Sequence, residues 1–174
     1  MTAARRRDEI LQALAGASGP VSAAALAARL GVSRQVVVGD VALLRAAGSP
    51  IVATPRGYVL GGGQEGGGVR CTVACRHGLD GLLDELYTVA DCGCGVLDVI
   101  VEHPVYGQLS GQLQVFSRYD ADVFWDALQK NGAQPLCSLT GDIHLHTLVC
   151  PDEARKARVL AALEEKGYLM GLEK

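Results

Sequence analysis

The sequence predicts a two-part α+β fold, with three helices and a hairpin over residues 1–60 and a two-layer α/β sandwich over residues 69–174. Three observations predict it. Apolar residues recur at helical spacing through the first part, and alternating strand patterns interleave with helical ones through the second. Between them, residues 61–68 hold six glycines in eight positions, a composition that behaves as flexible coil and marks a linker.

In the first part, Ile10, Leu11, Leu14 and Ala15 give residues 5–15 one apolar face, and Gly16, Gly19 and Pro20 end that helix. Ser22 is placed to cap a second helix over Ala23 to Leu30, and Gly31 makes the turn. Ser33 caps a third helix to about Ala47, with Val37, Val41 and Leu44 inward. Pro50 to Leu60 reads as strand, turn and strand, with Pro55 and Gly57 at the positions a type I turn favours. A short helix, a glycine turn, a Ser-capped helix and a hairpin together form a winged helix-turn-helix.

Residues 1–60 carry seven arginines against three acids, a net of +4, while residues 61–174 carry nine basic and sixteen acidic residues, a net of −7. The two sum to the chain's −3. Only the first part is therefore suited to a polyanion. Ser33, Arg34 and Gln35 open the third helix, where a recognition helix meets base edges, and Arg56 at the wing tip is placed for a phosphate or the minor groove. The bland alternative is solvated first-turn residues.

Past the linker, Val69 to Arg76 alternates as a strand ending at His77. A helix follows over Leu79 to Ala90 with Leu79, Leu82, Leu83, Leu86 and Ala90 as its apolar face. Strands over 96–102 and 105–116, a helix capped by Asp120 or a neighbour and stopped by Asn131-Gly132, a strand region over 137–139 and 143–150, and a helix from Pro151 to about Lys166 complete the chain. The order β-α-β-β-α-β-α describes helices over one face of a largely antiparallel sheet.

Within that sheet, Gly141 to Val149 places His144 and His146 on the same face, about 7 Å apart along the strand. On the helix, Glu85 falls near 240° if Leu79 is zero, at the border of a leucine stripe spanning roughly 300° to 40°. A carboxylate beside a core requires a partner. If the first and last strands are neighbours, His77, Glu85, His144 and His146 converge on a set suited to zinc, nickel, iron or cobalt. The opposing reading puts both histidines on an exposed sheet face and Glu85 in a surface ion pair. The six cysteines lack zinc-ribbon spacing and read as buried reduced thiols. No apolar run is long enough to span a membrane and no signal peptide is evident, so a cytoplasmic protein is expected.

The motifs Val32-Ser33-Arg34-Gln35, Ala53-Thr54-Pro55-Arg56-Gly57-Tyr58, Glu102-His103-Pro104-Val105-Tyr106-Gly107 and Gly141-Asp142-Ile143-His144-Leu145-His146 resemble those of niacin-responsive repressors of the NiaR/YrxA type. The resemblance spans residues 5 to about 170. It implies an HPr-like three-histidine sandwich, a divalent transition metal (nickel, zinc or iron), and cytoplasmic homodimers that bind operator DNA. It further implies repression of NAD-precursor salvage or niacin-uptake genes when nicotinic acid is bound as corepressor. By the same resemblance His77, Glu85, His144 and His146 hold the metal. Nicotinic acid is then expected beside it, either ligating it directly or contacting His103, Tyr106 or Arg118. Two other functions compete: a metallohydrolase domain with Glu102 or Asp142 as base, and a regulator for which metal alone is the signal.

Overall fold

The computed structural model describes residues 2–61 and 68–171. The chain divides into two compact units, Met1–Glu65 and Gly66–Lys174. Most of the glycine-rich stretch, residues 62–67, lies outside the described residues.

The first unit contains helices α1 (Ala3–Ala15), α2 (Ala23–Leu30) and α3 (Arg34–Ala46), then strands β1 (Ile51–Thr54) and β2 (Gly57–Leu60). Each helix begins where a short hydroxyl side chain satisfies an otherwise orphaned amide: Thr2, Ser22 and Ser33 accept from the N–H groups of Arg5, Ala25 and Val36. Gly31 ends α2 at φ +66°, a left-handed position that glycine takes without strain. Ile10, Leu14, Leu26, Leu30, Val37, Val41, Leu44 and Ile51 form the core. Thr54 pairs with Gly57 across the two-residue loop Pro55-Arg56. One buried residue on the inward stripe of α3 is not apolar. Asp40 receives the Arg6 Nε–H at 2.5 Å and the second Arg6 nitrogen at 3.2 Å, with Arg7 3.7 Å away. This clamp ties α1 to α3.

The second unit contains β3 (Val69–Arg76), α4 (Leu79–Asp91), β4 (Gly95–His103), β5 (Gly107–Val115), α5 (Arg118–Asn131), a 3-10 turn (Leu136–Thr140), β6 (Ile143–Cys150) and α6 (Glu153–Glu165). The sheet order is β3-β6-β4-β5, and all three pairings are antiparallel. The first and last strands are neighbours. Leu82, Leu86 and Val89 of α4, Ala121 of α5, and Val159 and Leu163 of α6 pack over Val73, Val96, Leu113, Val115 and Leu148. Among the described residues no helix is long and apolar enough to cross a membrane.

Three local expectations are corrected. Residues 137–139 are not strand but part of the 3-10 turn. The Ser138 hydroxyl donates to the Pro135 carbonyl and the Thr140 hydroxyl to the Ile143 carbonyl, each at 2.7 Å, and Gly141 closes the turn at φ +62°. Ser117, not Asp120, caps α5; Asp120 sits one turn in and accepts the Phe116 N–H at 2.9 Å. The buried face of α4 is Gly81, Leu82, Glu85, Leu86, Thr88 and Val89, while Leu79 is 45% exposed. Glu85 is therefore central to that face and not at its border.

The sheet carries two register shifts at one level. Leu97 is an extra residue of β4 against β6, because Val96 pairs with Leu148 and Asp98 with Thr147. Gln114, at φ +53°, is an extra residue of β5 against β4, and its side-chain amide donates to the Leu97 carbonyl.

Candidate metal centre and nucleic-acid interface

Strand alternation and register build the centre. His144 and His146 project from β6 to the helix side and are 3% and 4% exposed, which excludes the exposed-face reading. Glu85 reaches down from α4 and is 1% exposed, which excludes a surface ion pair. His77 follows β3. The close approach of α4 depends on Gly81, where an added Cβ would lie 2.9 Å from the Cβ of His77.

All three imidazoles meet one oxygen. Glu85 Oε2 lies 2.6 Å from His77 Nε2 and 3.3 Å from the Nε2 atoms of His144 and His146. The far sides of the rings are fixed as well. Nδ1 of His77 donates to the Gly78 carbonyl at 2.9 Å, Nδ1 of His144 to Asp142 at 3.1 Å, and Nδ1 of His146 to Asp98 at 2.6 Å. A carbonyl can only accept, so the proton of each neutral ring sits on Nδ1 and each Nε2 presents a lone pair. Three lone pairs and a carboxylate oxygen then face one another at contact distance. That arrangement is repulsive unless protons or a cation sit among them.

Protons fill the role poorly at neutral pH. Burial opposes the imidazolium at His77 and His146, although the Glu85 carboxylate outweighs it and both titrate above an ordinary histidine. Burial would likewise raise Glu85, but the surrounding imidazoles hold it well below the usual carboxylate range. Charging more than one ring against a single carboxylate would leave uncompensated buried charge, at several kcal/mol per ion. A divalent ion with ligands about 2.0–2.2 Å away has neighbouring ligand atoms roughly 3.0–3.5 Å apart, which matches the 3.3 Å spacings of His144 and His146, while the 2.6 Å contact of His77 with Glu85 would have to open to admit the ion. Backbone carbonyls orienting the far ring nitrogens are the usual outer shell of metal-bound histidine. The residues fit a transition metal.

Cys75 also belongs here. Its sulfur lies within 4.8 Å of ligand atoms of Glu85 and His144, and burial together with the carboxylate pushes its thiol far above the ordinary range. Sequence reasoning read it only as one of six buried thiols; its place beside His144 follows from the pairing of β3 with β6. The other five cysteines are also free thiols.

Beside the centre is a cavity of about 30 Å³, walled by Leu82, Leu86, Val99, Leu113, Phe124, Pro135, Leu136 and Cys137. His103, Tyr106 and Arg118 are not among its lining residues. His103 Nδ1 accepts the Val105 and Tyr106 N–H groups and organises the β4–β5 turn, where Tyr106 is 74% exposed. Arg118 makes two hydrogen bonds to Asp91 (2.8 and 2.6 Å) and lies over the Tyr87 ring.

In the first unit, Ser33, Arg34 and Gln35 are exposed at the start of α3 and Arg56 is half-buried in the hairpin loop. Arg6 and Arg7 are held by Asp40 and Arg5 by Glu9, a use of charge that the net +4 did not reveal.

Comparison with known proteins agrees with this division. The family profile described as an HTH domain matches residues 6–59 and that described as a 3H domain matches residues 70–172. The chain is similar to a "Probable transcription repressor NiaR" of Thermotoga maritima, 44% identical over 165 residues that cover 95% of this chain and 93% of the relative. It is also similar to the "Transcription repressor NadR" of Bacillus subtilis, 40% identical over 169 residues covering 96% and 94%. Matched along nearly its whole length, the chain belongs to the helix-turn-helix and 3H-domain family of the NiaR and NadR transcription repressors.

Proposed function

We propose that this protein is an operator-binding repressor of NAD-biosynthesis or niacin-uptake genes, controlled by nicotinic acid through a metal-containing 3H unit. The observation that carries the sensor half is the convergence of three tautomer-fixed Nε2 atoms on one Glu85 oxygen. His77, Glu85, His144 and His146 hold a divalent transition ion such as nickel, zinc or iron, which supplies Lewis acidity toward an anionic ligand. The chain's own residues do the rest. Carbonyls of Gly78, Asp142 and Asp98 fix the imidazoles, and Leu82, Leu86, Val99 and Leu136 give the adjoining cavity an apolar wall.

At about 30 Å³ that cavity has room for on the order of two waters. A pyridine carboxylate enters only if a wall withdraws, and Pro135-Leu136, entering the 3-10 turn, is the wall outside the sheet and the long helices. Displacing this wall is the ligand's means of favouring one state of the protein, and corepression requires that state to bind DNA better. In a homodimer, Arg34 and Gln35 read base edges of each half-site, Ser33 caps the reading helix, and Arg56 meets the backbone. His103, Tyr106 and Arg118, away from the cavity, are in this reading left outside the ligand site.

The test is calorimetry of metal-analysed protein with nicotinate, nicotinamide and quinolinate, alongside operator binding with and without each. Tight binding of nicotinate that strengthens operator affinity is expected. Binding of none of the three sinks the niacin reading, and operator affinity that follows metal but ignores nicotinate replaces it with a purely metal-responsive regulator.

A further inference from the structure

The charge of the metal centre does not balance. Its histidines are neutral as ligands, and Glu85 contributes one negative charge to a site in which Glu85, His144 and His146 are buried and the side chain of His77 is 6% exposed. A divalent ion there would leave one positive charge in an apolar surround, which is unfavourable unless another anion is supplied. Glu85 Oε1 is in addition fully buried and has no hydrogen-bond partner.

One side chain can supply that anion. β3 runs antiparallel to β6 with Cys75 directly opposite His144 and Val73 opposite His146, so Cys75 and His144 project side by side toward α4. Cys75 is 0% exposed, and its sulfur, the Glu85 carboxylate and a His144 nitrogen lie within 4.8 Å of one another. No amine or guanidinium is among these three groups.

We propose that in the ligand-free protein Cys75 is a further metal ligand, binding as a thiolate beside Glu85 and the three histidines and making the centre neutral. This rests on the metal reading above. As the sulfur–metal bond forms, the S–H bond breaks and its proton passes to solvent; nothing is oxidised or reduced. One soft donor among harder ones shifts selectivity toward cobalt, zinc and cadmium and away from manganese and magnesium.

Cobalt(II) added to the chelator-treated full chain is the test. One equivalent is expected to be retained on dialysis, with a near-ultraviolet thiolate-to-cobalt charge-transfer band. Cys75→Ser is expected to keep the cobalt but lose the band and to lower the preference for cadmium over manganese by at least about tenfold. Cys137→Ser, at the neighbouring cavity, is expected to keep the band. X-ray absorption of the wild-type cobalt protein needs no variant, and a single sulfur about 2.3 Å from the metal is expected among lighter ligands. Retained cobalt without sulfur, or a band that survives Cys75→Ser or disappears in Cys137→Ser, overturns the role of Cys75 and leaves the metal centre standing. Failure to retain cobalt overturns both.

Discussion

Asp40 in the first unit and Glu85 in the second are both buried carboxylates, and the two are treated in opposite ways. Asp40, 4% exposed, faces guanidinium groups that carry permanent charge and only donate. Glu85, 1% exposed, faces three imidazoles whose ring protons are committed to carbonyls on the far side. The first carboxylate is complete within the protein and locks two helices together. The second is complete only with something added. What separates a structural buried acid from a functional one here is the chemistry of its partners, since burial is nearly equal.

The largest test of this contrast is Glu85→Gln. It should lower affinity for cobalt or zinc by more than about 100-fold, because outer-shell partners alone are worth 10–100-fold, as read by competition with a chromophoric chelator. Above the folded-state values of His77 and His146 the metal-free variant should not be destabilised, since an amide can donate to an imidazole lone pair, whereas at lower pH it should lose the stability that ionised Glu85 gains from charged imidazoles. Arg34→Ala comes next. Exposed and outside the Asp40 clamp, Arg34 should when replaced cost operator affinity about 1–3 kcal/mol, on the order of 5–150-fold, and relax sequence preference at one position without altering melting. Operator affinity and salt slope both unchanged would remove Arg34 from the interface. Asp40→Asn should do the reverse in calorimetry of the full chain, with melting of the first unit several degrees lower and metal affinity untouched. If metal affinity also falls, the two carboxylates are not independent.

The smallest effect is on pH. In metal-free protein, the raised values of His77 and His146 give stability that is present below about pH 6.5 and lost as pH rises through their folded values. The lowered value of Glu85 gives stability present above about pH 4.3 and lost as pH falls through its folded value. Metal-free protein should therefore melt highest between about pH 4.5 and 6.5 and a few degrees lower at pH 8. Loaded protein should show the opposite trend, because protons compete with the ion for the same nitrogens. Parallel trends in the two forms would mean that the ion binds elsewhere.

Much of this arrangement was legible in the sequence. Caps at Ser22 and Ser33, the turn at Gly31 and the alternation of His144 and His146 are local, and local rules place them. Glu85 was found but misplaced, because an apolar periodicity locates a buried face by its leucines and cannot count Gly81, Glu85 and Thr88 among the buried. The Asp40 clamp was missed for the same reason, although Asp40 lies on the Val37–Val41–Leu44 stripe. Residues 137–139 were misread because a short apolar run has no periodicity of its own, and the hydroxyl-to-carbonyl bonds of Ser138 and Thr140 decided the matter. Cys75 required a pairing register between strands some seventy residues apart, which no single-segment pattern encodes.

The bulge at Leu97 has a consequence for how the chain can vary. Because β4 carries one extra residue against β6, Val99 is opposite His146, while the Asp98 carbonyl receives the Nδ1 proton of His146 and the Asp98 carboxylate receives the Thr147 N–H. Removing Leu97 would join Val96 directly to Asp98 against the consecutive β6 residues Leu148 and Thr147, so Val99 and Val101 would stay in the helix-facing layer. A deletion at Ile100 would instead turn Val101 to the opposite face. The strand can change length at its bulge, and insertions or deletions at 98–101 should be far more damaging than any single substitution there.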